Sequence, residues 1–248
     1  MKSAIIYRGP SELDGKPIIV VATGLSASSN RKTGNMIQTW ILRADMSPSD
    51  AVNSGADESI CGSCTHRGII VDGKNRKRSC YVLEFQAPSS IYRSILRGNV
   101  PEITSEQVTE ELGRGRAVRL GSYGDPAAAP KAVWRALLKF ATRHTGYTHQ
   151  WRDHPELRGY LMASCDSAGD RAAALALGWR TFRVRARGSD RLPGEAQCPA
   201  SEEAGKILTC ATCTGCNGMS RRRSNLSGIT IIAHGSAART LHAQARVG

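Results

Sequence analysis

The sequence predicts an α/β fold, which is either a partial or complete (β/α) barrel or, as the alternative, an open doubly wound sheet. Three observations support this class. Strand-like and helix-like segments alternate between residues 114 and 186, the chain has 248 residues, and its 40 % hydrophobic content is ordinary for a globular protein. We expect one α/β domain over 1–248, with a metal-binding loop at about 58–82, a βα core at about 114–186 and a second metal-binding loop at about 192–220.

The N-terminal part of the chain predicts two strands, a loop and a helix. Residues 16–22 and 36–42 are apolar runs of strand length. Residues 24–35 between them are rich in Ser, Gly, Asn and Thr, which is typical of a loop. Residues 87–96 predict a helix, because Pro88 stands near its start.

The central part predicts the βα units. Strands are expected at 116–123, 145–151, 159–165, 179–185 and, after the last cysteine, 229–233. A helix should begin near Pro130, where apolar residues recur with helical period. A second helix should begin at Ser167, which forms a capping box with Asp170, and end at Gly178.

The chain is basic and rich in cysteine. Its net charge of +13 fits either a basic soluble surface or contact with nucleic acid. The first 20 residues lack a signal-peptide pattern and the apolar runs are too short to span a bilayer, so we expect a cytoplasmic protein without membrane contact. In that compartment the eight cysteines are expected to bind metal rather than form disulfides.

The C-terminal cysteines carry the most specific motif. Cys210, Cys213 and Cys216 form a C-x₂-C-x₂-C run, and the remote Cys198 directly precedes a proline. Bacterial ferredoxins ligate a [4Fe–4S] cluster with these parts. Closely spaced thiolates suit the several irons of a cubane, whereas one zinc ion usually takes two separate pairs. We therefore expect a [4Fe–4S] cluster, with zinc or free thiols as alternatives.

The N-terminal cysteines predict a second metal site. Cys61 and Cys64 form a C-x₂-C pair, Cys80 supplies a third thiol, and His66 offers an imidazole. These four residues fit a Cys₃His zinc site. Alternatively, Cys165 or an external ligand completes a second iron–sulfur cluster, or the cysteines bind no metal.

Polar residues at the ends of predicted strands form a third candidate site. Asp125, His149, Asp166 and His234 stand where active-site residues gather in parallel α/β folds, and they are suited to acid–base catalysis or metal binding. The alternatives are structural. Asp125 before a proline is good turn chemistry, Asp166 is a good helix cap, and His149 fits an exposed loop.

Two basic runs adjoin the cysteine sets and are candidate phosphate contacts. The residues are Lys74, Arg76, Lys77 and Arg78 in the first run, and Arg221, Arg222 and Arg223 in the second. Such runs are also common on solvated surfaces. The sequence has no helix-turn-helix, zinc-finger or RNA-recognition signature that would predict sequence-specific binding.

The order of several motifs resembles a family of phage and plasmid proteins usually called gene-product-88-like. After the C-x₂-C pair and Cys80-Tyr, the segments are 121–126 (GSYGDP), 145–151 (TGYTHQW), 162–167 (MASCDS), 178–183 (GWRTFR) and 198–203 (CPASEE). The resemblance covers most of the chain from about residue 61 to 234. It implies a mobile-element protein acting in the cytoplasm of a bacterial host cell.

The arrangement also looks distantly like a radical-SAM barrel, in which a cluster sits at the strand ends. The sequence lacks the Cys-x₃-Cys-x₂-Cys triad of that class, which argues against its chemistry. The leading hypothesis is an iron–sulfur protein that binds nucleic acid in replication, maintenance or regulation. The alternatives are a metalloenzyme acting on a nucleotide or metabolite, and a structural module stabilised by metal.

Overall fold

The computed structural model describes residues 1–103, 105–205, 207–213, 215–219, 228–235 and 238–244, with residues 243 and 244 described by backbone alone. The strands are β1 (Ser3–Pro10), β2 (Pro17–Thr23), β3 (Met36–Arg43), β4 (Ile69–Val71), β5 (Lys74–Arg76), β6 (Ala117–Tyr123), β7 (Arg143–Thr145), β8 (Tyr147–Thr148), β9 (Met162–Cys165), β10 (Thr181–Arg185), β11 (Glu195–Gln197) and β12 (Gly228–Ile232).

The helices lie between and after these strands. They are α1 (Pro48–Ser54), α2 (Glu58–Cys61), α3 (Ala87–Leu96), α4 (Glu106–Gly113), α5 (Lys131–Leu138), α6 (Ala168–Ala176) and α7 (Ala238–Gln244). Four 3₁₀ turns add Thr65–Arg67, Pro126–Ala128, Pro155–Leu157 and Glu202–Ala204. None of these helices has the length and apolar character needed to cross a membrane.

The strands form two five-stranded sheets and one small hairpin. The first sheet has the order β1-β2-β3-β6-β7, in which β1, β2 and β3 are antiparallel and β3, β6 and β7 are parallel. The second sheet has the order β11-β12-β10-β9-β8 and is parallel throughout. Strands β4 and β5 pair only with each other. The predicted α/β class is therefore confirmed.

The two large sheets meet at Gly146, the single residue between β7 and β8. Its carbonyl accepts a hydrogen bond from the Met162 amide at 3.0 Å, and its amide donates to the Cys216 carbonyl at 3.1 Å. A side chain at this position would overlap Leu161 and Leu120. Glycine therefore lets the two sheets pass directly into each other.

The main core lies between the sheets and the helices that cover them. Strand β2 is buried at five consecutive positions, as a strand covered on both faces requires. Helix α5 inserts Trp134, whose indole N–H donates to the Pro126 carbonyl at 2.8 Å. Trp151 is likewise buried, and its indole N–H donates to the Ser164 carbonyl at 3.2 Å. Both indoles thus pack in the interior with their polar atom satisfied.

The longer elements of the structure agree with the sequence prediction, whereas several short elements were not predicted. The helix at 87–96 and the capping box at Ser167 are found as predicted. The single strand expected over 145–151 is wrong, because Gly146 interrupts it and pairing ends at Thr148. The elements not predicted from the sequence are β1, β4, β5, β11, α1, α2, α4 and α7. All of these have three to eight residues, and periodicity carries little information over so short a segment.

Candidate metal centre

Two adjoining cavities open at the carboxyl-terminal ends of the parallel strands. Their volumes are about 220 Å³ and about 460 Å³. They share seven lining residues, which are Tyr81, Val82, Arg119, Ser122, Tyr147, Ile231 and His234. The N-terminal cysteines line the smaller cavity, and two of the C-terminal cysteines line the larger one. The two cysteine sets therefore face one continuous space.

The N-terminal thiols come together around the end of α2. Cys61 closes this helix, and the Cys64 amide donates to the Cys61 carbonyl at 3.2 Å. Cys80 lies near Cys61 and Cys64 because its backbone amide donates a hydrogen bond to the His66 carbonyl at 2.9 Å. Burial raises the pKa of the Cys61 thiol well above its usual value, and the nearby Cys64 and Cys80 raise it further. Three thiols thus share one buried neighbourhood.

His66 does not point into this thiol group but lies beside His149 and Asp166. Its Nε2 is 3.2 Å from Oδ1 of Asp166, and Nε2 of His149 is 3.3 Å from the same oxygen. The Cys64 sulfur is 4.0 Å from Nε2 of His149. The sequence grouped His66 with the cysteines and the other two residues as catalytic candidates. The fold instead combines the three into one cluster next to Cys64.

The His66–His149–Asp166 cluster is strongly polarised. Burial alone would raise the pKa of Asp166, but a hydrogen bond from His149 and the charge of both imidazoles hold that pKa well below its usual range. Burial alone would lower the pKa of His149, but Cys64 and Asp166 raise that pKa well above its usual value. Asp166 and His149 therefore each favour the charged form of the other.

Asp125 has a structural position under His149. Its Oδ1 accepts a hydrogen bond from the Ala127 amide at 3.0 Å, and its Oδ2 accepts one from the His149 amide at 2.7 Å. The side chain caps the 3₁₀ turn that follows and is only 6 % exposed, and each of its oxygens is bonded to a backbone amide. In the structure Asp125 therefore caps a turn, which is the structural role that its position before a proline suggested.

His234 lies away from the His66–His149–Asp166 cluster. Its Nδ1 is 3.0 Å from the Ile232 carbonyl and its Nε2 is 2.6 Å from Nζ of Lys32. The ring packs on Tyr81 with 4.8 Å between centroids. His234 therefore belongs to the wall between the two cavities.

The C-terminal thiols also share one neighbourhood. The pKa of the Cys216 thiol is raised to about 12, mainly by burial. A hydrogen bond from Tyr147 lowers this pKa, whereas the nearby thiols of Cys198, Cys210 and Cys213 raise it further. The loop is tied to the rest of the fold because the Cys198 amide donates to the Thr230 carbonyl at 2.8 Å and the Cys210 amide to the Lys32 carbonyl at 3.2 Å. A backbone donor also reaches sulfur, since the Gly215 amide is 3.3 Å from Sγ of Cys213.

Two cations face the C-terminal thiols. Arg119 projects from β6 over the Tyr147 ring, 5.6 Å from its centroid. Burial alone would lower its pKa, but Tyr147, Cys210 and Cys216 act on it and keep that pKa raised. Lys32 lies close to Cys198 and Cys210, although burial and the neighbouring Arg119 lower its pKa. Partly buried positive charge thus stands next to groups that become negative when they bind metal.

One group of three ligand atoms converges within the described part of the chain. The ligand atoms of His66, His149 and Asp166 all lie within 4.8 Å of one another, and no three cysteine sulfurs of the described residues do so.

Cys165 is a packed thiol at the end of β9. It is 1 % exposed, and its Sγ lies 3.5 Å from the Ala163 carbonyl. Burial raises its pKa to about 12. The structure thus gives it a hydrogen-bonded position in the core, separate from both cysteine sets.

The first basic run divides between the surface and the interior. Lys74, Arg76 and Lys77 are exposed on and just after β5. Arg78 is partly buried, and its guanidinium lies 3.6 Å from Asp57 and 3.5 Å from Glu84. Arg78 is therefore engaged within the protein. The second run, Arg221, Arg222 and Arg223, lies outside the described residues.

The sequence reasoning missed Arg119, Lys32 and Tyr147. Arg119 could have been found from the sequence, because it is the one charged residue in the strand AVRLGSY. Lys32 lies in a polar loop that gives no such signal. No family model, curated protein or solved structure gives a significant match to the chain.

Proposed function

We propose that this protein is an iron–sulfur enzyme that binds its small-molecule substrate in the space between the two cysteine sets. In this proposal Cys198, Cys210, Cys213 and Cys216 hold a [4Fe–4S] cluster. Such a cluster supplies one-electron transfer when it is bound. The resemblance to phage and plasmid proteins supports a setting in a bacterial host cell.

The observation that carries the proposal is the partly buried positive charge of Arg119 and Lys32 beside the C-terminal thiols. Four thiolates around a cluster bring negative charge into a buried place, and an uncompensated buried charge is costly. Arg119 and Lys32 supply positive charge there, and the side chains acting on Arg119 are tyrosines and cysteines rather than carboxylates. The Gly215 amide adds a donor to sulfur, as such sites commonly require.

The enzyme part of the proposal rests on the shape of the sheets. We propose that the parallel strands curve into a partial (β/α) barrel whose interior is the paired cavity. One concave wall then carries Gln38, Trp40, Arg119, Tyr147, Phe182 and Ile231. Active sites of such folds lie at the carboxyl ends of the strands, where both cysteine sets face the cavity. A cavity of about 460 Å³ is large enough for a small molecule.

In the same proposal the N-terminal thiols bind a second metal centre. Cys61, Cys64 and Cys80 supply three thiolates on the smaller cavity. In the described residues these three sulfurs do not all lie within 4.8 Å of one another, and we propose a second cluster here rather than a single zinc ion. A three-cysteine site leaves room for a further ligand from the cavity.

The cluster is tested by purifying the full chain without oxygen and measuring iron, sulfide, zinc and the visible absorption spectrum. We expect a coloured protein with iron and sulfide in equal amounts. Cys213→Ser should lose the iron assigned to the C-terminal site, whereas the control Cys165→Ser should keep it. A colourless protein that contains only zinc, or unchanged iron in Cys213→Ser, would contradict the proposal.

A second candidate function is nucleic-acid binding through the β4–β5 hairpin. Lys74, Arg76 and Lys77 are exposed there, and the chain carries a net charge of +13. Such charge binds phosphates by releasing counterions, so the affinity should fall steeply with salt.

This candidate is tested by a mobility-shift assay on single- and double-stranded DNA and RNA at several salt concentrations. Replacing Lys74, Arg76 and Lys77 by Gln should weaken binding and reduce the salt slope by about 1 per lost phosphate contact. The control replaces Lys16, Arg93 and Arg97, which are exposed elsewhere, and removes the same charge. Equal weakening in both triple variants would contradict a specific role for the hairpin.

A further inference from the structure

We propose that His66, His149 and Asp166 form a separate binding site for one divalent transition-metal ion beside the N-terminal cysteines. The ligand atoms are Nε2 of His66, Nε2 of His149 and one carboxylate oxygen of Asp166. The inference does not depend on the iron–sulfur proposal, because it uses no cysteine as a required ligand.

The first support is the convergence of the three ligand atoms. They all lie within 4.8 Å of one another. Oδ1 of Asp166 is 3.2 Å from one ring nitrogen and 3.3 Å from the other. An ion bound at about 2.0–2.2 Å from each atom needs only small shifts from this arrangement.

The second support is a ring nitrogen shielded from solvent. Nε2 of His66 is buried and faces Oδ1 of Asp166 at 3.2 Å as an ion pair without hydrogen-bond geometry. A buried polar atom without a well-formed hydrogen bond is uncommon in proteins and points to a group that occupies the site when the protein functions. A metal ion would accept the lone pair of this nitrogen.

The third support is the set of hydrogen bonds behind the ligands. Nδ1 of His66 is 2.8 Å from Oγ of Ser79, which leaves Nε2 available for a metal. The Thr65 hydroxyl donates to Oδ2 of Asp166 at 2.6 Å, which leaves Oδ1 directed at the imidazoles. Outer contacts of this kind orient histidine and carboxylate ligands in known metal sites.

The backbone explains why these residues meet. His149 and Asp166 follow the neighbouring parallel strands β8 and β9, whose carboxyl ends reach the same edge. The Asp125 carboxylate fixes the His149 amide at 2.7 Å. His66 arrives on the 3₁₀ turn after Cys64. Side-chain exposures of 16 % for His66, 18 % for His149 and 25 % for Asp166 leave a path for an ion from solvent.

The ligand set also indicates the class of ion. Two imidazoles and one carboxylate with open positions are typical of mononuclear non-haem iron(II) sites, and manganese(II) also accepts nitrogen and oxygen ligands. The Cys64 sulfur, 4.0 Å from Nε2 of His149, stands near enough to become a fourth ligand for a softer ion such as zinc. We expect Fe(II) or Mn(II) when the three ligands act alone.

The test is a titration of the full chain with Mn(II), followed by electron paramagnetic resonance of the free ion. Manganese is chosen because it prefers nitrogen and oxygen to thiolates, so the cysteine sets interfere little. We expect one Mn(II) per chain. His66→Gln, His149→Gln and Asp166→Asn should each weaken binding more than tenfold, and Thr65→Val should weaken it about 10- to 100-fold.

Two controls make the result decisive. His154→Gln removes a histidine that pairs with Glu156 at 3.0 Å elsewhere on the surface, and it should leave Mn(II) binding unchanged. Cys213→Ser should also leave Mn(II) binding unchanged while it lowers the iron content, so the two proposals fail separately. No Mn(II) bound, or equal binding in all three ligand variants with normal circular dichroism, would overturn the inference.

Discussion

Asp125 shows, at the scale of single residues, how a carboxylate at a strand end can serve the fold. Its two oxygens hold the Ala127 and His149 amides, and its own amide donates to the Ile60 carbonyl at 2.6 Å. The residue thus joins the end of β6, the α2 segment and the backbone of His149. Asp125 lies next to the candidate metal ligands because it binds the backbone amide of His149.

Asp125→Ala should therefore lower the free energy of unfolding by about 2–4 kcal/mol, because two buried amides lose their acceptor. Urea unfolding followed by circular dichroism measures this change. The control Asp153→Ala, at an exposed position, should change stability by less than about 0.5 kcal/mol. Similar small effects of both substitutions would show that the two hydrogen bonds contribute little.

The parallel sheet contains a buried ion pair at the scale of secondary-structure elements. Arg183 on β10 binds Glu195 on β11 with two contacts of 2.7 Å, and the side chains are 10 % and 0 % exposed. Strand β12 separates β10 from β11 in the sheet, so the pair spans a strand. The Leu192 amide donates a further bond to the carboxylate at 2.8 Å. The pair thus positions the segment that leads to Cys198.

Arg183→Leu should destabilise the fold by about 3–5 kcal/mol, because it leaves the Glu195 carboxylate buried without its main partner. The double variant Arg183→Leu/Glu195→Leu should recover part of this loss, since the buried carboxylate is removed together with its main partner. The recovery is incomplete because Arg171 loses its 3.5 Å contact with Glu195 and keeps its bond to the Pro193 carbonyl. Urea unfolding of the three proteins measures the coupling. Strictly additive effects would contradict the pairing.

The same pair predicts a pH dependence. Burial alone would raise the pKa of Glu195, but the hydrogen bonds from Arg183 outweigh it and the net pKa is lowered. A lowered pKa in the folded state means that the stabilisation is present above the unfolded value of about 4.3 and is lost as the pH falls through the folded value. The stability difference between the protein and Glu195→Gln should therefore shrink as the pH falls from about 5 through the folded value. A constant difference would contradict the shift.

The junction at Gly146 matters at the scale of the whole molecule. It joins the two large sheets and places β8 beside β9, which brings His149 and Asp166 to one edge. A Cβ atom there would lie 2.5 Å from Cδ2 of Leu161 and 3.0 Å from Cβ of Leu120. The close packing of the two sheets thus depends on the absence of a side chain.

Gly146→Ala should destabilise the protein by about 1–3 kcal/mol through overpacking. Gly169→Ala is the matched control, because Gly169 lies in α6 with only Oγ of Ser167 within 4 Å, at 3.7 Å. That change should stabilise the protein by about 0.5–1 kcal/mol, since alanine favours a helix. Thermal unfolding measures both. The same sign for both variants would contradict the close contact at the junction.

The sequence by itself determined the α/β class and most of the longer elements. The apolar runs of β2, β3, β6 and β10 and the capping box of α6 are local patterns, and local sterics and hydrophobic periodicity decide such elements. The sequence also singled out the cysteines and the four polar strand ends, because their chemistry is a property of residue type and spacing.

Tertiary structure alone decided which of these residues meet. His66 stands two residues from Cys64, yet it groups with His149 and Asp166, which are 83 and 100 residues away in the chain. Arg119 became a partner of the C-terminal thiols only through the pairing of β6 with its neighbours. The physical reason is that a site depends on distances across the fold. Strand register and loop closure set these distances, and the spacing of residues along the chain does not encode them.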